Sequence, residues 1–173
     1  VQPFAFINKS TLLKISAMGV AFIILVHLLM SMTHHEKTLF SETVSFPQDA
    51  GSINALTPMF TLSKKESNLQ VNFSAPVSNS WLELEGSFVN TETGKEFGFN
   101  KGIEYYYGYT DGENWTEGRR EETVLLTEIP AGTYYLEYKA TRDSTYNMQN
   151  AVQNVNLQVK YDVTLSRNLL WTI

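Results

Sequence analysis

Four stretches of this chain alternate apolar and polar residues with a period of two, and that pattern constrains the fold more than any other feature. In NVNLQVKYDV, Val155, Leu157, Val159, Tyr161 and Val163 alternate with Asn156, Gln158, Lys160 and Asp162. LQVNFS sets Leu69, Val71 and Phe73 against Gln70, Asn72 and Ser74, and WLELEGSF sets Leu82, Leu84 and Phe88 against Glu83, Glu85 and Ser87. TYYLEYKA does the same with Tyr134, Leu136 and Tyr138 against Tyr135, Glu137 and Lys139. Successive strand side chains point to opposite faces, so each stretch reads as a strand with one face buried and one wet. The intervals SAPVSNS, NTETGK, TDGEN and EIPAGT carry the Pro, Gly, Asn and Asp residues at which chains reverse. From Phe40 onward no segment has a helical period. The expected fold is mainly β: an antiparallel β-sandwich, jelly-roll or immunoglobulin-like, over residues 53–165.

Ahead of it lies an apolar run, TLLKISAMGVAFIILVHLLMSM, at residues 11–32. A helix of about 20 residues rises about 30 Å, the thickness of a bilayer's hydrocarbon core. Leu12, Ile15, Phe22, Ile23, Ile24, Leu25, Leu28 and Leu29 are the expected membrane anchors. The run exceeds the core of a signal peptide, about 7–15 residues, and SMTHHE offers no small-x-small cleavage site. Lys9 and Lys14 precede it, whereas Glu36, Glu42 and Asp49 outnumber Lys37 after it, so residues 1–10 are expected in the cytoplasm and the chain beyond about residue 33 outside. Residues 33–52 read as a linker. His27 inside the span is expected to face a neighbouring helix or the interface, and His34-His35-Glu36 to form a juxtamembrane polar cap rather than a metal site. The sequence starts at Val1 rather than Met, which suggests a piece of a longer polypeptide. At the other end Arg167 precedes an apolar stretch containing Trp171, an interfacial residue type, so residues 166–173 read as the threshold of a second span.

Composition removes several function classes. With a formal net charge of -5 and 18% charged residues, there is no basic stripe to neutralise a phosphate backbone, and nucleic acid is not an expected partner. Cysteine is absent, so thiolate metal sites and cysteine nucleophiles are too. The three histidines all lie at or before residue 35, which leaves none for general-base, triad or zinc chemistry in the β-rich part. Neither a Gly-rich phosphate loop nor a nucleophile elbow is present. Glu83, Glu85, Glu104, Glu121 and Glu122 could furnish a glycosidase-like carboxylate pair, but glutamates at such strand positions usually form a solvated face.

One stretch concentrates the remaining candidates: GIEYYYGYTDGENWTEG, residues 102–118, with five aromatic and four acidic side chains. Ile103, Tyr105, Tyr107 and Tyr109 share a strand face, and Asp111-Gly112 is a hairpin turn signal, so strand and turn account for most of it, with Tyr105 in the core. Two functional readings compete with that. Asp111, Glu113, Asn114 and Glu117 offer oxygen ligands suited to a hard cation such as Ca²⁺, although not in EF-hand spacing. Alternatively, Tyr107, Tyr109 and Trp115 form an aromatic platform that stacks on a sugar ring, with Glu113 or Asn114 bonding its hydroxyls. Asn72-Phe73-Ser74 and Asn114-Trp115-Thr116 match the N-glycosylation sequon, which has meaning only in a eukaryotic secretory pathway.

The succession SNSWLELEGSFVNTETGKEF, GIEYYYGYTDGENWTEG, TVLLTEIPAGTYYLEY and NLQVKYDVTLSRNLLW resembles the extracytoplasmic C-terminal region of a bacterial inner-membrane family of unknown function. The resemblance covers nearly the whole chain. It implies a β-sandwich held between two transmembrane helices, joined to a cytoplasmic β-rich part that this sequence does not contain. Genes of that family often neighbour those of phage-shock-protein-A-like membrane-stress proteins. No catalytic residues carry over. The expected function is that of a non-enzymatic, membrane-anchored interaction or scaffold subunit, partnered by the membrane and by other membrane proteins, with self-association among the options. A glycan- or peptidoglycan-binding module is the alternative, and a glycoside-cleaving enzyme the third.

Overall fold

The computed structural model describes residues 8–33, 36–143 and 152–163. The chain divides into two compact units, one ending at His35 and one beginning at Glu36. The first contains α1, Lys9–Thr33. Asn8 caps it: its carbonyl accepts from the N–H groups of Thr11 and Leu12, and its side-chain oxygen accepts from Ser10 N–H at 3.2 Å. The cap sets the helix start two residues before the apolar run. Leu12, Ile15, Phe22, Ile23, Ile24, Leu25, Leu28 and Leu29 are all exposed, and Lys9–Leu29 is long and apolar enough to cross a membrane. Residues 1–7, His34, His35 and 164–173, including Arg167 and Trp171, lie outside the described residues, as do the expectations placed on them.

Among the described residues of the second unit, every strand pair is antiparallel. Its strands are β1 (Lys37–Ser45), β2 (Ser52–Leu56), β3 (Phe60–Ser74), β4 (Ser80–Asn90), β5 (Glu96–Thr110), β6 (Glu113–Arg119), β7 (Glu121–Arg142) and β8 (Asn154–Tyr161). The order across the sheet is β1-β8-β3-β7-β4-β5-β6, with β2 also on β7. The expectation of a linker at 33–52 is therefore corrected, because β1 pairs with β8 along its length, from Lys37↔Tyr161 to Ser45↔Asn154. It does not read as a strand because it is an edge: the register slips between Thr38 and Phe40, and Glu42 occupies an inward position opposite Leu157.

A folded ribbon turns this sheet into a sandwich. β2 and β3 run in one line along β7, from Ser52↔Thr141 through Phe60↔Tyr134 to Ser74↔Glu121. Both ends of β7 reach the same end of the domain. Glu121 lies opposite Ser74, which pairs with Asn156 of β8, while Arg142 donates to the Val152 carbonyl just ahead of β8. The ribbon thus doubles back near Leu62–Glu66 and Glu128–Gly132, and the one eight-stranded sheet curls over itself there, with β1-β8-β3-β7 along one half and β2-β7-β4-β5-β6 along the other. EIPAGT is the fold point. It was expected to be a reversal between strands, yet β7 continues through it. Glu128 (φ 59) and Gly132 (φ 155) supply the kink, and Pro130, opposite Glu66, donates nothing to the ladder.

The alternating residues meet in one core. Leu69, Val71 and Phe73 of β3 and Val155, Leu157 and Val159 of β8 join Leu82, Leu84 and Phe88 of β4 and Tyr134, Leu136 and Tyr138 of β7. Near the fold point Phe60, Phe88 and Tyr134 make ring contacts at 6.0 and 6.4 Å, and the buried Tyr134 hydroxyl donates to Pro130 O at 3.0 Å. The opposite end is closed by Arg142, only 5% exposed, whose guanidinium donates to the carbonyls of Pro47, Gln48, Ala50 and Val152 and stacks on Phe46. We call the end holding Lys37, Tyr161 and the ribbon fold the root, and the end closed by Arg142 the far end.

Candidate functional site

The candidate site is the β5–β6 hairpin, which outruns the sheet at the far end. β5 pairs with β4 only as far as Ser80↔Tyr105, whereas its pairing with β6 continues from Glu104↔Arg119 to Thr110↔Glu113. Beyond Tyr105, β6 is the only strand paired with β5 among the described residues, over about five further residues or roughly 17 Å. Asp111 (φ 54) and Gly112 (φ 89) form the two-residue turn, both left-handed, as a hairpin of this length requires.

The register decides which side chains share a face. Opposed residues of a pair project to the same side. Tyr105, Tyr107 and Tyr109 therefore share a face with Asn114 and Thr116, while Tyr106, Gly108 and Thr110 share the other with Glu113, Trp115 and Glu117. The expected platform of Tyr107, Tyr109 and Trp115 is not formed, because Trp115 lies on the opposite side of the hairpin from the two tyrosines. Its indole is laid over Gly108, so closely that a Cβ there would fall 2.7 Å from the ring, and Nε1 donates to Thr110 Oγ1 at 3.3 Å. Trp115 is still 43% exposed, Tyr107 47% and Tyr109 69%.

The expected oxygen ligands also separate. Glu113 and Glu117 stand four positions apart on one strand, about 13 Å along it, Asn114 faces the other way and Asp111 sits at the turn. No group of three His, Asp or Glu side chains converges among the described residues.

The hairpin is braced at its base. Tyr107 N–H donates to Asn79 Oδ1 at 2.9 Å, and its hydroxyl lies 3.2 Å from Ser78 Oγ. Tyr105, expected in the core, is half-buried instead: the Arg120 guanidinium covers its ring at 3.9 Å, held there by a bond from Nε to Val77 O. The ring packs against the edge of the core and is capped by this cation–π contact. On the other face burial pushes the Tyr106 phenol up from its ordinary pKa, with the Glu104 and Asp143 carboxylates adding to the shift. Gly118 (φ 89) seats β6 against β5: a Cβ there would lie 2.1 Å from Glu104 O.

A second feature escaped the sequence reading. The outer face of β1-β8-β3-β7 holds an open cavity of about 910 Å³ lined mainly by Ser, Thr, Asn, Gln and Glu side chains. Its residues bond one another: Thr43 donates to Asn156 at 2.7 Å, and Asn72 Oδ1 accepts from Gln70 at 2.7 Å and from Thr123 at 2.9 Å. These are the polar partners in the alternating stretches, so the signal was present as the wet face of each strand. Glu122 at the rim is paired with Arg119 at 2.8 Å. Glu83 and Glu85 lie on β4 opposite Gly102 and Asn100, and Glu104 stands at the hairpin base, so the glutamates form no common cluster with Glu121 and Glu122.

No protein-family model matches the chain, and no curated protein matches it. Among solved structures it is similar to a chain of infectious bursal disease virus, Gt strain, with 8% identity and a TM-score of 0.37, covering 78% of this chain and 34% of that one. A chain of the Gx strain gives 9% identity and a TM-score of 0.36, with 78% and 32% covered. The chain thus spans about a third of the length of these structures.

Proposed function

We propose that this chain is a membrane-tethered, non-catalytic interaction module of a bacterial membrane assembly, with α1 as anchor, the β-sandwich on the extracytoplasmic side and the β5–β6 hairpin as the contact element. The observation that carries this reading is the overhang. Tyr107, Tyr109 and Trp115 are the three most exposed aromatic side chains of the described β-rich part, and they stand on a braced two-stranded projection. Exposed aromatics held rigidly cost little ordering entropy on association, and Tyr and Trp dominate contact energetics. Within the sandwich, β1 begins with Lys37 at the root, while the hairpin leaves from the far end. The resemblance to a membrane-stress-associated family supports a role in envelope stress.

The absence of cysteine makes this directly testable. Tyr109→Cys should be labelled by a membrane-impermeant maleimide in intact spheroplasts; labelling only after permeabilisation would overturn the orientation. Membrane proteins that co-purify with the wild-type chain should be lost from a Tyr109→Ser/Trp115→Ser double variant. An unchanged set would remove the hairpin from the contact.

A further inference from the structure

We propose that β6 is a strand-addition site: its free edge takes up an extended segment of a partner protein carrying basic residues at alternate positions. The proposal rests on the reading of the hairpin as the contact element and names the chemistry of what it contacts.

The two outer edges of the sheet are built differently. β1 carries a bulge between Thr38 and Phe40 and the inward-facing Glu42 opposite Leu157, devices that discourage a further strand. Among the described residues β6 ends the strand order at the other edge, and it is exposed at every residue. It contains no Pro or Lys, and its register on β5 is unbroken. The two-residue turn fixes which backbone groups are free. Thr110 and Glu113 exchange hydrogen bonds, as do Gly108 and Trp115 two pairs on, so the N–H and C=O of Asn114 and Thr116 point away from β5 toward the open edge. An added strand would satisfy them.

Charge selects the occupant. The face of β6 holding Glu113, Trp115 and Glu117 is acidic at two alternate positions with an exposed indole between them. A strand laid beside it places three of its own alternate residues opposite these, and Lys or Arg there makes favourable cross-strand pairs with both glutamates. A second copy of this chain fits badly: antiparallel pairing of two β6 strands centred on Trp115 sets each Glu113 against the partner's Glu117, placing like charges directly opposite. The edge therefore suits a heterologous, cationic strand.

The experiment uses the full chain in nanodiscs and three labelled, end-capped heptapeptides read by fluorescence anisotropy. TKTVTKT has both lysines on one face at the spacing of Glu113 and Glu117; TKTVKTT has the same composition with the lysines on opposite faces; TETVTET reverses the charge. The first should bind more tightly than the second, by up to about fivefold, and the third should not bind. Glu113→Gln and Glu117→Gln should each weaken TKTVTKT by up to about fivefold. Thr116→Pro removes an outward N–H while leaving the β5 pairing its donors, and should abolish binding. Should Thr116→Pro disturb the hairpin, the two glutamine variants still carry the test. Equal affinity for the two lysine peptides, or affinity unchanged in the Gln double variant, overturns the proposal. If the lysine peptides are not distinguished while the wild-type hairpin still captures membrane proteins, strand addition fails and the contact reading stands. Selective peptide binding without any such capture would leave the edge chemistry correct and sink the contact reading.

Discussion

Replacing Arg142 by Met should cost the β-rich part about 3–4 kcal/mol. Arg142 is buried, and its guanidinium bonds four carbonyls: Val152 at 2.5 Å, Ala50 and Gln48 at 3.0 Å, and Pro47 at 3.1 Å. A hydrogen bond to a charged group contributes about 1.5–3 kcal/mol, so four would sum to about 6–12 kcal/mol if all were lost outright. They are not. Pro47 and Gln48 are exposed, so their carbonyls return to water, and Met retains contact with Phe46. The Val152 and Ala50 carbonyls carry the main loss, at about 1.5–2 kcal/mol each. The core contains no residue of α1, so urea unfolding of residues 36–163, followed by circular dichroism, reads this directly. With a slope of about 1–3 kcal/mol per molar urea, the midpoint should fall by about 1–4 M at unchanged slope. A loss below about 1 kcal/mol would refute the view that Arg142 closes the far end by tying three chain segments together.

Three further predictions follow from the same geometry. Gly118→Ala meets both a left-handed backbone, costing about 1–2 kcal/mol, and the Glu104 carbonyl, so β6 should detach at its base; amide exchange of residues 113–118 should quicken while β3 and β8 stay protected. Burial, with Glu42 adding to it, pushes the Tyr138 phenol up to about 12, from an unfolded value of 10.0. Between those values the native state holds the proton that the unfolded chain releases, so stability should be full below pH 10, fall as pH rises toward 12, and fall less steeply in Tyr138→Phe. Calcium should leave the melting midpoint where chelator leaves it, because Glu113 and Glu117 stand about 13 Å apart; a rise abolished by Asp111→Ala would show a site at the turn.

Much of the fold was legible because the four alternating stretches become the inner walls of both halves of the sheet. Their apolar residues from Leu69 to Val159 are buried as the period predicts. Where the reading failed, a local rule had two outcomes. Pro130 and Gly132 mark either a reversal or a kink within a strand, and only the pairing of β3 along both halves of β7 selects the kink. β1 gave no period because an edge strand has little to bury and Glu42 breaks its inward row. At the hairpin the turn was readable from Asp111-Gly112, and with it the register that sets Trp115 opposite Gly108. The aromatic platform treated nearness in sequence as a shared face, which period-two geometry forbids here. The polar cavity escaped for a different reason: its wet-face residues are each readable, but it is assembled from strands distant in sequence.

The central claim is that the hairpin, and not the root, touches a neighbour. A photo-crosslinking amino acid placed at position 109 of the full-length protein in its native membranes tests it, with position 93 in the β4–β5 turn at the root as the comparison. Irradiation should give discrete higher-mass adducts from 109 that disappear when Trp115→Ser is added, and none from 93. Adducts from 93 with none from 109 would contradict the account.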